Sequence, residues 1–234
     1  MNAPPALPNR PVVALWHGVR ADLPLALGGI AFGMIYGVLA REAGIPATAA
    51  QAMSSILFAG SAQFVTTQLV MIGTPAVVMV LTIFVVNLRH MLYSASLSPY
   101  LREFSLGWKL LLSYLLTDEA YAVVITYFNR IPRNPLRNWY FLGAGLTLWV
   151  SWQLSTAAGI FLGVVIPSSW SLDFTLALMF IALVIPAIKD YPTAAAALAA
   201  GVTAVAAYQL PYQLGLLAAA LVGILVGAGL ERLK

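Results

Sequence analysis

Cysteine is absent from the 234 residues, and charge is scarce. The first absence excludes disulfides, thiolate metal sites and cysteine nucleophiles. The second is the stronger constraint. Charged residues make up 9% of the chain, 61% is hydrophobic and mean hydropathy is +0.89, whereas an average soluble domain carries roughly 25% charge. Too few polar groups remain to cover a globular surface, so composition indicates an all-α integral membrane protein. The length suits one membrane domain and leaves no room for a large soluble module. The Pro-rich start, Met1 to Pro11, has no apolar core followed by a small-residue cleavage site. It reads as a retained lead, taken as residues 1–20, before a single transmembrane domain over 21–234. The net charge of +4 belongs to loops that set orientation. No nucleic acid, metal or cofactor is expected.

A hydrocarbon core needs about 20 apolar residues per helix. That rule predicts a polytopic bundle of about seven or eight spans, near 23–40, 48–72, 76–98, 109–128, 139–163, 173–188, 193–208 and 212–230. The segments 173–188 and 193–208 are short enough to be half-helices. With the N-terminus inside, Arg10, Arg20, Arg130, Arg133, Arg137, Lys189, Arg232 and Lys234 fall on the cytoplasmic side, and only Arg41, Arg102 and Lys109 outside. This asymmetry obeys the positive-inside rule and puts both ends in the cytoplasm. Gly29, Gly33 and Gly37 share one helix face, as do Ala219, Gly223 and Gly227. Small residues at this spacing let helix backbones approach, either within the chain or at a partner's face. A faint echo relates Ala43-Gly44-Ile45-Pro46 to Val164-Val165-Ile166-Pro167, and Phe58-Ala59-Gly60 to Phe180-Ile181-Ala182. Transporters often carry such repeats, with interrupted helices at matching places.

Polar residues inside these spans are the functional candidates. Gly60, Ser61 and Gln63 fall near the middle of the second span. A helix broken there exposes backbone N–H and C=O groups to a substrate's charged ends; the plainer alternative is hydrogen bonding to a neighbouring helix. In the third span Asn87, His90 and Ser94 lie on one face, and Arg89, Tyr93 and Ser96 on another. Arg89 is costly at the bilayer centre, about 2.5–3.5 kcal/mol on insertion scales. It suits a fork on a substrate carboxylate, an ion pair with the next span, or snorkelling to the interface. His90 is a proton relay or a satisfied hydrogen-bonder. Asp118 and Glu119, after Thr117, sit at the centre of the fourth span. Intramembrane carboxyls are functional by default, often in proton pathways; the alternative is a static salt bridge to Arg89.

Together these residues resemble a known family. Pro24…Phe32-Gly33…Gly37, Phe58-Ala59-Gly60-Ser61-Ala62-Gln63-Phe64, Asn87-Leu88-Arg89-His90…Tyr93-Ser94-Ala95-Ser96-Leu97 and Thr117-Asp118-Glu119 are similar to the signature of the AzlC/YgaZ family. That family forms the large subunit of bacterial branched-chain amino acid exporters. The resemblance implies an inner-membrane, non-enzymatic secondary exporter of leucine, isoleucine, valine and methionine, driven by proton exchange. It also implies a small membrane partner of the AzlD/YgaH type. From the polar residues themselves, Gly60, Ser61, Gln63, Asn87, Arg89 and Ser94 are the candidate substrate site, and Asp118, Glu119 and His90 the candidates for proton coupling.

Rival classes fit less well. An intramembrane serine protease built on Ser61 and His90 lacks a Gly-x-Ser-x-Gly frame and leaves Asp118 and Glu119 without a role. A passive channel needs no proton-coupling group, and an assembly subunit needs no polar site of its own.

Overall fold

The computed structural model describes residues 10–131, 134–162, 188, 190–210 and 214–232. Among them are nine helices and no strand: α1 (Pro11–Glu42), α2 (Ala47–Leu57), α3 (Gly60–Met71), α4 (Ala76–Leu101), α5 (Leu106–Tyr114), α6 (Asp118–Arg130), α7 (Arg137–Leu162), α8 (Tyr191–Ala206) and α9 (Leu214–Glu231). The all-α membrane class holds. α1, α4 and α9 are each long and apolar enough to cross a bilayer, and many large apolar side chains face outward, Leu27, Val77, Phe84 and Leu154 among them. The expected span 173–188, Trp170 and the repeat partners at 164–167 and 180–182 lie outside the described residues.

The chain divides into two compact units, one of residues up to 64 with 87–164, the other of 65–86 with 165 onward. In the second unit α8 and α9 form an antiparallel pair. Gly223 faces Ala200, Gly227 faces Ala196 and Gly215 faces Ala207, so the C-terminal small-residue stripe packs within the chain. Asp190 caps α8, its carboxylate accepting from the Thr193 amide at 3.0 Å.

The first unit is built on α1 and α7. α1 starts at Pro11, well before the expected span, and passes through Pro24 without ending. Gly18 meets Tyr140 and Ala144, Gly33 meets Trp152 and Ser155, and Gly37 meets Thr156 and Ile160. Contacts advance together along both helices, so the two run parallel. Gly143 and Gly159 return the approach against Leu15 and Met34. The Gly29/Gly33/Gly37 stripe is thus an internal packing face, and the close backbones need glycine.

Two expected spans are not continuous helices. The segment 48–72 breaks at Phe58, whose φ of 31° is left-handed, giving helices of 11 and 12 residues. Tyr36 of α1 touches both halves: its hydroxyl donates to the Ala50 carbonyl at 2.9 Å, and its ring meets Phe64 edge-on at 6.0 Å. A straight helix would separate residues 50 and 64 by roughly 21 Å. α3 therefore folds back beside α2.

The segment 109–128 behaves likewise, breaking at residues 115–117 into helices of 9 and 13 residues. α5 descends along α4, with Lys109 donating to the Arg102 carbonyl at 3.1 Å. α6 returns parallel to α4, matching Tyr121 to Tyr93 and Ser96, and Phe128 and Asn129 to Tyr100. Residues before α5 consequently lie level with the start of α7. Arg137 reaches Glu103 at 3.4 Å and stands over the Phe104 ring, and Trp108 meets Trp139 at 5.2 Å. Each half-helix is shorter than the roughly 20 residues a crossing needs.

The first unit therefore holds two helix breaks, at Phe58 and at residues 115–117, and their short flanking helices suit two re-entrant hairpins. The cysteine-free background makes this directly testable. Ser105→Cys and Arg130→Cys are expected to react with an impermeant maleimide from one face of the membrane, and Thr48→Cys from the other. Labelling of Ser105→Cys and Arg130→Cys from opposite faces would restore a crossing span.

Candidate functional site

The hairpin tips meet. Breaking a helix inside a membrane leaves backbone carbonyls and amides without partners, and here side chains meet them. The Ser55 carbonyl accepts from the Tyr114 hydroxyl at 2.5 Å, and that hydroxyl accepts from Trp149 Nε1 at 2.7 Å. The Ser54 carbonyl accepts from Gln153 Nε2 at 3.1 Å, and Ser54 Oγ pairs with Thr156 Oγ1 at 3.0 Å. Gln153 Oε1 also accepts from Gln51 and Ser55, at 2.8 and 2.9 Å. Phe58 packs on Tyr114 with ring centroids 6.0 Å apart. One α7 glutamine thus holds the end of α2, while Tyr114 ties the first tip to the second.

Between the tips lies Arg89, near the middle of α4. Its Nη1 is 2.5 Å from Asp118 Oδ2 and its Nη2 donates to Ser61 Oγ. Ser61 belongs to the first turn of α3, and Asp118 opens α6 behind the Thr117 cap, whose hydroxyl accepts from the Ala120 amide at 3.3 Å. A carboxylate in the first turn suits the positive end of a helix dipole. The pair is not sealed: the two side chains are 29% and 32% exposed. Tyr93 lies beside Asp118 and stacks on Tyr121 at 4.4 Å.

Other expected residues join this centre to different degrees. Gly60 begins α3 where any Cβ would come within 2.8 Å of the Trp152 ring. Gln63 is fully buried beside the Tyr36 hydroxyl. The Asn87 side-chain oxygen is buried, with no hydrogen-bond partner among the described residues. His90 Nδ1 sits 3.3 Å from the Asn87 carbonyl, and its ring is edge-on to Tyr93. Ser94 faces elsewhere, lining a groove of about 220 Å³ with Ser98, Lys109, Ser113 and Leu116. Glu119, next to Asp118 in the first turn of α6, is within electrostatic reach of Asp22 as well as of Arg89 and Asp118.

Sequence reasoning missed three participants. Gln153 and Tyr114 were legible as polar groups inside apolar segments. Asp22 was hidden by a span boundary set one residue too late, at Leu23. α1 carries it inside the fold, fully buried.

A profile of the AzlC protein family matches residues 24–166, which hold every half-helix and the ion pair. The chain belongs to the AzlC family. It is 28% identical over 164 residues to the inner membrane protein YgaZ of Escherichia coli, covering 70% of this chain and 66% of YgaZ. It is 29% identical over 177 residues to the branched-chain amino acid transport protein AzlC of Bacillus subtilis, covering 73% and 68%. A membrane protein of Archaeoglobus fulgidus is 30% identical over 219 residues, covering 89% and 92%. The match thus spans about two thirds of the two named bacterial relatives. No solved structure matches. This AzlC-family chain is a membrane protein whose polar centre lies where two helix breaks meet.

Proposed function

We propose that the chain is the large subunit of a two-component secondary transporter exporting leucine, isoleucine and valine, with methionine as a further substrate, from the bacterial cytoplasm by proton antiport. The observation that carries this reading is the Arg89–Asp118 pair spanning the two tips. An amino acid is a zwitterion. Its carboxylate replaces Asp118 on the guanidinium, and its ammonium takes the released Asp118. Arg89 offers the planar fork that a carboxylate prefers, and the first amides of α3 at Gly60 and Ser61 add donors at a positive helix end. Phe58, Phe64 and Trp152, all buried, supply an apolar wall for the side chain. Such a wall separates molecules differing by one methylene by only about 1–3 kcal/mol, so branched and thioether amino acids share the site. The name of the Bacillus subtilis relative supports the same substrate class.

Orientation follows from charge. Arg20, Arg102, Lys109, Arg130 and Arg137 gather at one end of the first unit, and Arg41 stands at the other. With Arg102 and Lys109 counted at the basic end, the asymmetry supports a cytoplasmic start of α1. The partner is a small membrane subunit of the AzlD/YgaH type. Asp118, Glu119 and His90 serve proton coupling.

The test is efflux of preloaded radiolabelled leucine from cells with this chain, the small subunit, both or neither, before and after collapse of the proton gradient. Efflux that rises only with both chains and falls on collapse is the expected result. Efflux indifferent to collapse identifies a passive channel, and no rise in any combination rejects the substrate.

A further inference from the structure

Asp22 is out of place. It occupies the stripe by which α1 packs on α7, between Gly18 and Ala26, where the other buried residues are mostly glycine and alanine. Its exposure is 0%, unique among the acidic side chains of the described residues, and neither carboxylate oxygen has a hydrogen-bond partner there. The groups that act on it electrostatically are Glu119 from α6 and Tyr140 from α7. Both are acids; Arg130, the cation that acts on Tyr140, is not among the groups that act on Asp22. An ionised carboxylate with neither donor nor counter-charge is too costly to bury. Asp22 therefore rests protonated, and the proton is the ligand this position is built to hold.

Space for water lies close by, lined by neighbours of Asp22 and Glu119 and not by the two carboxyls themselves. A groove of about 360 Å³ runs between α1 and α6, lined by Ala21, Leu25, Ala122, Thr126, Tyr127 and Arg130, with Tyr140 completing it. Ala21 adjoins Asp22, and Ala122 lies one turn beyond Glu119. At the far end Arg130 stands at the terminus of α6 on the basic side of the unit.

We propose that Asp22 is the proton carrier of this transporter, exchanging one proton with the Glu119 carboxylate and, through the α1–α6 groove, with the cytoplasm. The inference rests on the proton-antiport reading above and names the group that makes the exchange. In the step, the proton leaves an Asp22 oxygen and a water molecule relays it to a Glu119 oxygen; that water then donates to the Asp22 carboxylate left behind, so one carboxyl of the two is charged at a time and it is not left without a donor. Glu119 in turn is coupled electrostatically to Asp118 and Arg89. Charge arriving on Glu119 therefore alters how tightly the ion pair holds, which links the proton to the substrate site.

The test has two arms, both on the full chain with its small subunit. Dicyclohexylcarbodiimide adds across a protonated carboxyl in an apolar site, giving a stable acylurea that mass spectrometry locates. Modification of Asp22 that rises as pH falls and is indifferent to sodium is expected. In proteoliposomes the ratio of leucine efflux with and without an imposed pH gradient is expected to fall to unity in Asp22→Asn and to persist in Asp22→Glu. Asp22 unmodified at every pH, or a gradient response in Asp22→Asn equal to wild type, overturns the proposal, and protection by sodium converts the site to a sodium site. Should the wild type move no leucine, the substrate reading falls while the labelling arm still decides Asp22. That arm uses the wild-type chain, so a misfolded variant does not weaken it.

Discussion

Arg89→Ala is expected to lower leucine efflux at least tenfold, equivalent to about 1.4 kcal/mol of lost transition-state stabilisation, with the protein still present in the membrane. The guanidinium touches both hairpin tips, through Ser61 and Asp118. Removing it leaves Asp118 without its cation, and truncating one partner of a fully buried pair costs about 3–5 kcal/mol. With both side chains about a third exposed, water absorbs part of that cost, so loss of flux exceeds loss of fold. Asp118→Asn is expected to fail similarly, because Arg89 then keeps the substrate carboxylate but the ammonium has no counter-charge. Arg89→Lys separates charge from geometry: a point charge on a flexible stem does not bridge the tips as a fork does, so efflux stays well below wild type. Efflux assays on membranes matched for protein level, with detergent size-exclusion profiles as the folding control, read all three. Efflux within twofold of wild type in Arg89→Ala would remove the ion pair from the transport path.

Gly37→Leu is expected to abolish accumulation of folded protein, the largest structural effect of any single change here. A Cβ at Gly37 runs into the Thr156 carbonyl and the backbone of Gly159 and Ile160. Backbone atoms do not swing aside as a side chain does, so α1 and α7 must separate along their length. Over-packing a well-filled core costs about 1–3 kcal/mol even where side chains yield, and these helices carry the scaffold on which both hairpins rest. Gly143→Leu meets the Leu15 carbonyl in the same way. Gly28 provides the contrast: nothing lies within 4 Å of a Cβ there. Gly28→Ala should be tolerated and gains roughly 0.8–1.0 kcal/mol of helix propensity. Thermal midpoints in detergent, with membrane yield, distinguish the two classes. Wild-type yield and midpoint for Gly37→Leu would mean the α1–α7 contact is looser than described.

The polar centre was legible because hydropathy makes any charge inside an apolar run conspicuous. Arg89, Asp118 and the Gly60-Ser61-Gln63 cluster stood out for that reason, and a break near Gly60 was read from residues that weaken a helix. The path of the chain was not legible in the same way. A run of about 25 apolar residues fits a membrane equally well as one crossing helix or as two half-helices folded together, since both satisfy their backbone groups and bury the same side chains. Only contacts far apart in sequence, Tyr36 with Ala50 and Phe64 or Trp108 with Trp139, separate the two. Ser94 was assigned by helical periodicity, which places residues on a face without saying what the face meets. Asp22 was lost because the expected span began at Leu23, whereas the helix starts at Pro11 and carries Asp22 within it.

The short hairpins also constrain how the protein is made. Half-helices of 9 to 13 residues are too brief for the insertion machinery to release sideways as independent spans. When α4 emerges from the ribosome, Ser61 already exists but Asp118 has yet to be synthesised, and the staple from Gln153 comes later still. Arg89 therefore spends part of biosynthesis without its counter-ion, and both polar tips wait for α7. Assembly of the centre is therefore expected after insertion, once α1, α4 and α7 are in place. A nascent chain arrested before α7 should accordingly be a substrate for membrane proteases, with its exposed tips as the mark of incompletion.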